Sequence, residues 1–435
     1  MTPTPGTHIL DDFAWRGLIA VSTDLPTLRV ALDAGPVTYY CGFDPTAPSL
    51  HLGNLVQILT LRRLQDAGHR PLALVGGATG LIGDPKENAE RALNDPDVVA
   101  SWVERIKSQV EPFLDFGGGS AAHPAVMVNN LDWTANLSAI DLLRDIGKHF
   151  RVNRMLAKDA VSARLNSDAG ISYTEFSYQI LQGMDFLELY RRYGCTLQTG
   201  GSDQWGNLTA GLDLIHRVLD GVSAHALATP LITKADGTKF GKTETGTVWL
   251  DPAMTSPYAF YQFWVNADDR DVAGYLKIFS LKSRSEIEAL ERAATERPAA
   301  REAQRALAEE LTTLVHGSLE CGRVIAASAA LFGRAELADL DQATLAAALA
   351  ETGVVGIAAD PLPSVIDVLV ATGLVDSRSA GRRAIDEGGA YINNAKITDP
   401  DAVLSPSDLL HGRWVVVRRG KRSVAGVDAR GSMRL

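Results

Sequence analysis

Two short runs of β-branched and aromatic residues flank a helix that is apolar nearly all the way round, and nothing else constrains the fold as tightly. Val37-Thr38-Tyr39-Tyr40-Cys41 reads as a strand. Ser49 to Ala67 reads as a helix in which Leu52, Leu55, Val56, Ile58, Leu59, Leu61 and Leu64 leave no polar face, so it must be buried. Gly68 and Pro71 stop it. Pro71 to Gly76 reads as a second buried strand and Ala125 to Asn129 as a third. Strand, helix and strand at this spacing predict a parallel sheet with crossover helices.

Residues 85–185 interrupt that repeat with mostly helical sequence, including Asp95 to Phe116 and Ser138 to Arg151. This is an insertion into the sheet domain and a natural place for a subunit interface. Residues 253–330 read as wholly helical, and the Ala-rich residues 331–360 as a mobile helical connector. The tail from Pro361 reads as two short helices, Ser364–Thr372 and Ser377–Glu387, followed by strands at Tyr391–Asn393, Lys396 and Arg413–Arg422.

With 435 residues the chain is too long for one core, and its 46% apolar and 22% charged residues suit a water-soluble globular protein. Cys41, Cys195 and Cys321 lie far apart, which argues against a disulfide framework or zinc site and suits a reducing cytoplasm. Met1 to Asp12 holds no apolar run, and no stretch reaches membrane-span length. The net charge of −10 disfavours nucleic acid as a partner of the whole surface. Residues 362–435, however, hold 11 Lys and Arg against 8 Asp and Glu, a balance of +3 that leaves −13 for residues 1–361. That distribution suggests local RNA contact through the tail.

The polar motifs point to ATP. Asp236 to Thr243 sets Lys239, Lys242 and Thr243 on a Gly-flanked loop, one residue too short between Gly237 and Gly241-Lys242 for a phosphate-cradling P-loop. Pro45 to Asn54 opens a helix and places His51 and Asn54 on one face of its first turn, where free N–H groups and the dipole favour an anion. Gly53 lets a flat ring approach the backbone. Gly76 to Pro85 follows a strand without the spacing of dinucleotide binders, and its Asp84 carboxylate sits where open α/β sheets bind ligands. On the helix Tyr173–Tyr193, Tyr178, Gln182 and Asp185 share one stripe that suits a pocket reading an amino acid. In Leu197 to Asn207, Asp203 offers an acceptor for ribose hydroxyls and Gln204 a partner for a carbonyl.

Taken together, Tyr40 to Thr46, His51-Leu52-Gly53-Asn54, Gly76 to Pro85, Tyr178 to Phe186, Gly200 to Asn207 and Lys239 to Thr243 resemble the bacterial tyrosyl-tRNA synthetases, a family of class I aminoacyl-tRNA synthetases. The likeness runs from about residue 10 through the tail. It implies an α/β fold: a Rossmann-like parallel-sheet catalytic domain over 1–228 with the helical insertion, a helical domain over 229–330 that begins with the mobile Lys loop, a linker over 331–360, and a small α+β RNA-binding domain of the alpha-L type over 361–435. It also implies a homodimer that works in the cytoplasm on L-tyrosine, ATP and tRNA(Tyr), with Mg²⁺ carried by the ATP phosphates and no tightly bound cofactor.

By position, the resemblance assigns Tyr40 and Asp185 to the substrate phenol, Asp84, Tyr178 and Gln182 to its ammonium, and Gln204 to its carboxyl region. Cys41, Gly201 and Asp203 would face the ribose, with Gly42, Asp44, Gly53 and Asn54 also on the ATP side. Thr46 and His51 would meet the γ-phosphate, and Lys239, Lys242 and Thr243 would close on the departing pyrophosphate. Asn54 replaces the second histidine of the commonest family signature. The segment after Asp84 is one residue shorter than the family pattern, so the resemblance leaves the phosphate roles of Lys86 and Arg91 open.

The proposed chemistry is self-consistent. A carboxylate is already a nucleophile, so attack on the α-phosphorus needs positioning and stabilisation of charge on pyrophosphate, which neutral and cationic donors supply. Two rivals stay open on sequence: a synthetase for tryptophan or another aromatic amino acid, disfavoured by Tyr40 and Asp185 because an indole gives them no phenol to hold, and a non-catalytic RNA-binding relative, which would have no need of both His51 and the Lys loop.

Overall fold

The computed structural model describes residues 7–85, 93–166, 170–238, 240–243, 246–333, 335–358, 360–420 and 423–430. They form two compact units, Met1–Met254 with Ala267–Leu307, and Thr255–Asn266 with Ala308–Leu435.

The first unit is built on a six-stranded sheet: β1 (Val21–Ser22), β2 (Thr38–Phe43), β3 (Arg70–Val75), β4 (Val126–Asn129), β5 (Cys195–Gly201) and β6 (His225–Thr229). The spatial order is β1-β6-β5-β2-β3-β4. All neighbours are parallel except β1, which runs antiparallel to β6 at the edge. From β2 the chain steps one way to β3 and β4, then the other way to β5 and β6. The C-terminal ends of β2 and β5 therefore flank the point where strand order reverses, the place where open α/β sheets bind ligands.

The all-round apolar helix forms over Leu52–Asp66 and is buried as expected, with Leu55, Ile58, Leu59 and Leu61 fully enclosed. Each such side chain contributes roughly 1.5–3 kcal/mol on leaving water. Tyr39 closes the layer by donating its hydroxyl to the Leu61 carbonyl at 2.5 Å.

The helix Tyr173–Tyr193 matches its sequence limits because Ser172 caps its start and Gly194 leaves it in a left-handed turn at φ 65°. It packs on the helix Trp205–Val218 at two glycines. A Cβ on Gly211 would stand 3.0 Å from Phe186, and one on Gly183 would stand 3.6 Å from the Ala210 backbone and 2.9 Å from Phe150, which precedes both helices. The expected helix Ser138–Arg151 is broken instead: one turn at Ala139–Asp141 widens to a π-helical turn over Leu142–Ile146, and Gly147 passes into a 3-10 turn. β4 returns to the sheet beside β3, so the uninterrupted insertion begins only after Asn129.

Residues 253–330 are helical, as read, but the two units share them: Val272–Phe279 and Arg284–Glu296 belong to the first, Pro257–Val265 and Ser318–Leu331 to the second. The second unit also holds a five-stranded sheet made of β9 (Val354–Gly356), β10 (Ala390–Ile392), β11 (Ala395–Lys396), β12 (Trp414–Arg419) and β13 (Ser423–Asp428), in the order β11-β10-β12-β13-β9. Val365, Val368, Leu369, Ile385, Val415, Val417 and Val427 form its core.

The connector expected over 331–360 is not only a connector. It carries the helix Gln342–Ala350 and then β9, which pairs parallel with β13 and so belongs to the tail's sheet. A lone three-residue strand without strong alternation gives no signal until its partner is known.

Candidate active site

Tyr40 and Asp185 meet at the reversal point. Tyr40 sits on β2 and is 1% exposed, and its hydroxyl has no hydrogen-bond partner among the described residues. Its ring packs on Phe186 with centroids 5.3 Å apart. Burial, then the nearby Asp185 charge, holds this phenol well above its ordinary pKa, so it stays a donor. Asp185 is 2% exposed and accepts from Trp133 Nε1 at 2.8 Å and Asn130 Nδ2 at 3.0 Å. Burial pushes its carboxyl up to about 7, more than those two donors pull it down. A buried phenol that lacks a partner beside a buried carboxylate is a polar pair waiting for a hydroxyl.

A chain of hydrogen bonds leads from there to Tyr178. Asn130 Nδ2 also donates to Thr79 Oγ1 at 2.9 Å, Thr79 donates to Asp44 Oδ1 at 2.6 Å, and Tyr178 donates to Asp44 Oδ2 at 2.6 Å. Asp44, expected on the ATP side, thus has both carboxylate oxygens engaged by side chains of the pocket. Tyr178, expected at the ammonium, keeps its oxygen lone pairs as acceptors. Gln182, one turn on, has a buried Oε1 with no partner among the described residues. Tyr178 and Asp185 are thus joined through Asp44, Thr79 and Asn130, and Gln182 lies between them on the same helix.

Asp84 and Gln204 come together as well. Gln204 Nε2 donates to Asp84 Oδ2 at 2.9 Å, and Asn207 Nδ2 donates to Asp84 Oδ1 at 3.2 Å and to Gln204 Oε1 at 2.9 Å. This closes a triangle at the start of the helix Trp205–Val218. The Asp203 carboxylate lies over Gly201, where a Cβ would stand 2.4 Å from its Oδ1, and Asp203 itself is exposed. Cys41 is buried against Thr199, and burial raises its thiol to about 12, so it is a neutral group in the site. Gly42 and Thr46 are exposed beyond it.

His51 caps the helix Leu52–Asp66. Its Nδ1 accepts from Gly53 N–H at 3.0 Å, and Asn54 Oδ1 accepts from His51 N–H at 3.1 Å. An Nδ1 that accepts assigns the neutral ring's proton to Nε2, a donor suited to phosphate oxygen. Asn54 thus does structural work through its oxygen that a second histidine would do differently, and its Nδ2 remains a donor.

The Lys loop lies against this helix start. Leu52 N–H donates to Val248 O at 3.2 Å, Leu250 N–H to Leu50 O at 2.8 Å, and His51 bridges Trp249. Phe240 stacks on Phe279 with centroids 5.2 Å apart and lies tilted against Tyr275 at 5.1 Å. A Cβ on Gly241 would stand 3.4 Å from Leu52 Cβ. Lys242 and Thr243 form β7, paired with β8 (Gly246–Thr247). Lys239, Lys86 and Arg91 lie outside the described residues.

Sequence reading missed Thr79, Asn130, Trp133 and Asn207. Asn129-Asn130 directly after the third strand was a usable signal, because strand ends on this face carry the site. Trp133 gave none.

Comparison with known proteins places the chain in a family. Residues 32–333 match the family described as tRNA synthetases class I (W and Y), and residues 348–425 match the tyrosine--tRNA ligase SYY-like C-terminal domain. The chain is similar to a tyrosine--tRNA ligase of Acidothermus cellulolyticus, 71% identical over 98% of this chain and 100% of that one, and to one of Streptomyces avermitilis, 69% identical over 98% and 100%. Among solved structures it is similar to a C-terminally truncated mitochondrial tyrosyl-tRNA synthetase of Coccidioides posadasii, with TM-score 0.64 and 32% identity over 73% of this chain and 90% of that one. Fold and site define a class I aminoacyl-tRNA synthetase. Within that class, the chain belongs to the tyrosine--tRNA ligase family.

Proposed function

We propose that the chain activates L-tyrosine with ATP to tyrosyl-adenylate and pyrophosphate at this pocket, then transfers the tyrosyl group to the 3′ end of tRNA(Tyr). Tyr40 donates to the substrate phenol and Asp185 accepts from it. Phenylalanine would leave both buried groups unsatisfied, and an indole would present one donor and no acceptor. Asp84, Tyr178 and Gln182 offer acceptors to the α-ammonium, and Gln204 orients the carboxylate for in-line attack. ATP arrives as its Mg²⁺ complex, the ion carried by the phosphates. Its ribose lies toward Gly201 and Asp203, and its phosphates toward Thr46, His51, Asn54 and Gly53. Lys239, Lys242 and Thr243 then neutralise charge on the departing pyrophosphate. The observation that carries this reading is the unpartnered Tyr40 hydroxyl buried beside Asp185. Tyrosine-dependent ATP–pyrophosphate exchange followed by charging of tRNA(Tyr) tests it, and exchange with tryptophan in place of tyrosine would overturn it.

The insertion leaves Ile140, Leu143, Val152 and Tyr173 exposed, and this apolar face supports a homodimer through the insertion. The tail, whose Arg378, Arg382 and Arg419 are exposed, supports tRNA contact by the second unit. Among the described residues no helix is long and apolar enough to cross a membrane. The three free, buried cysteines support work in the cytoplasm.

A further inference from the structure

Lys158 has no role in the pocket described above, yet it lies directly behind it. It follows the short helix Val152–Leu156, and its Nζ donates to the carbonyl of Gly206. That residue falls between Gln204 and Asn207, two corners of the triangle around Asp84. The lysine stem covers Gly206 so closely that a Cβ there would stand 3.2 Å from Cδ and 3.3 Å from Nζ. The Gly206 carbonyl also accepts from Thr209 Oγ1 at 3.1 Å, which fixes it as a docking point.

The charges facing the amine come from two elements. Asp84 acts from the segment after the helix Thr79–Ile82, and Asp213 from the helix Trp205–Val218. Asp213 is itself paired with Arg154 at 3.1 Å. Asp84 is therefore the carboxylate whose charge Lys158 can share.

We propose that Lys158 is a positioning residue for the amino-acid subsite: it anchors the Asp84–Gln204–Asn207 triangle through Gly206 and surrenders its proton when the substrate ammonium settles on Asp84. The proposal rests on the assignment of Asp84 to the ammonium. Two cations sharing one half-buried carboxylate repel, and the substrate's ammonium has the direct contact, so the lysine is the group that gives way. Burial makes this inexpensive, because it already brings the amine down to about 7 against the raising influence of Asp84 and Asp213. The proton leaves to solvent, and the neutral amine keeps its bond to Gly206.

The test is equilibrium binding between about pH 6 and pH 8 of tyrosine and of 3-(4-hydroxyphenyl)propionate, which shares the phenol but has no ammonium. Below pH 7 the free protein binds a proton that the complex must expel, so tyrosine affinity should fall by up to about tenfold per pH unit from this group alone. Lys158→Gln should remove that component and leave the analogue's own pH dependence, set by Asp185, untouched. Lys158→Arg keeps the donor but cannot lose its proton, so it should weaken tyrosine at every pH while sparing the analogue. A Lys158→Gln protein that keeps the parent's steepness for tyrosine, or a Lys158→Arg protein that weakens both ligands alike, would overturn the proposal. Asp84→Asn separates the two readings: if it leaves the preference for tyrosine over the analogue unchanged, the ammonium assignment itself fails, whatever Lys158 does.

Discussion

His51 and Trp249 face one another across a single antiparallel bridge, their ring centroids 6.0 Å apart and tilted by 57°. The bridge joins the start of the helix Leu52–Asp66 to the strand that leaves the Lys loop, so the two segments proposed to bind the phosphates are held together in the ligand-free chain. Pre-set geometry of this kind lowers the barrier of a step that depends on position and charge.

Loosening the bridge should therefore harm the chemistry more than amino-acid binding. Trp249→Ala is expected to slow adenylate formation by roughly 10–100-fold, the scale of a small misplacement near reacting atoms. Tyrosine affinity should stay within about twofold. Stopped-flow fluorescence with tyrosine alone, then with ATP, separates the two, and a collapse of tyrosine binding would show that the ring supports the pocket instead.

Asp185 should give the free protein a pH signature. Its carboxyl is raised from 3.8 to about 7, chiefly by burial. A raised pKa means the fold prefers the protonated form, so the stabilising contribution is full below about pH 4 and is lost as the pH rises through 7. Asp185→Asn removes the ionisable group. The variant should gain on the parent by roughly 2–4 kcal/mol in substrate-free urea unfolding as the pH goes from about 4 to 8, while tyrosine activation collapses. An offset that does not change with pH would mean that the carboxylate is better solvated than its burial indicates.

Much of this pocket was legible. The helix Tyr173–Tyr193 was read within its observed limits, and its polar stripe stood out because a phenol, an amide and a carboxylate aligned on one face are unusual in a core. What could not be read was how those groups are satisfied. Asn130 and Trp133 reach Asp185 only because β4 lies beside β3, and Asp44 accepts from both Tyr178 and Thr79 because three chain segments converge on it. Pairings between distant segments are tertiary facts, and local pattern carries no trace of them.

Asn130 is the joint of that chain, since one fully buried amide serves Thr79, Asp185 and the Ala78 N–H. Asn130→Ala leaves buried groups unsatisfied at about 1–3 kcal/mol each. We expect a loss of roughly 2–4 kcal/mol in stability by thermal or urea unfolding. The KM for tyrosine should rise more than the KM for ATP, and equal rises would mean the chain ends before the phenol subsite.

Gly211 tests the packing under the same subsite. A methyl there would press on Phe186, the ring against which Tyr40 lies, and would stand 3.4 Å from Gln198 Oε1, a buried acceptor without a partner among the described residues. Gly211→Ala is expected to cost about 1–3 kcal/mol through overpacking and to weaken tyrosine binding while ATP binding holds. Unchanged tyrosine affinity in a destabilised protein would show that Phe186 yields without moving Tyr40.

The limits of the tail decide how it should be removed. Cutting at residue 361 would leave β9 behind without β13, exposing an unpaired strand. Such an edge invites aggregation. Truncation after Thr352 takes the whole five-stranded sheet, and it leaves the pocket untouched because every residue of the pocket belongs to the first unit. That protein should keep tyrosine-dependent pyrophosphate exchange within about threefold and lose tRNA charging by at least about 100-fold, the scale expected when several phosphate contacts go. If charging survives, the tail is not the principal tRNA contact. If exchange is lost while the protein stays folded by circular dichroism, the second unit supports the first in a way the pocket alone does not require.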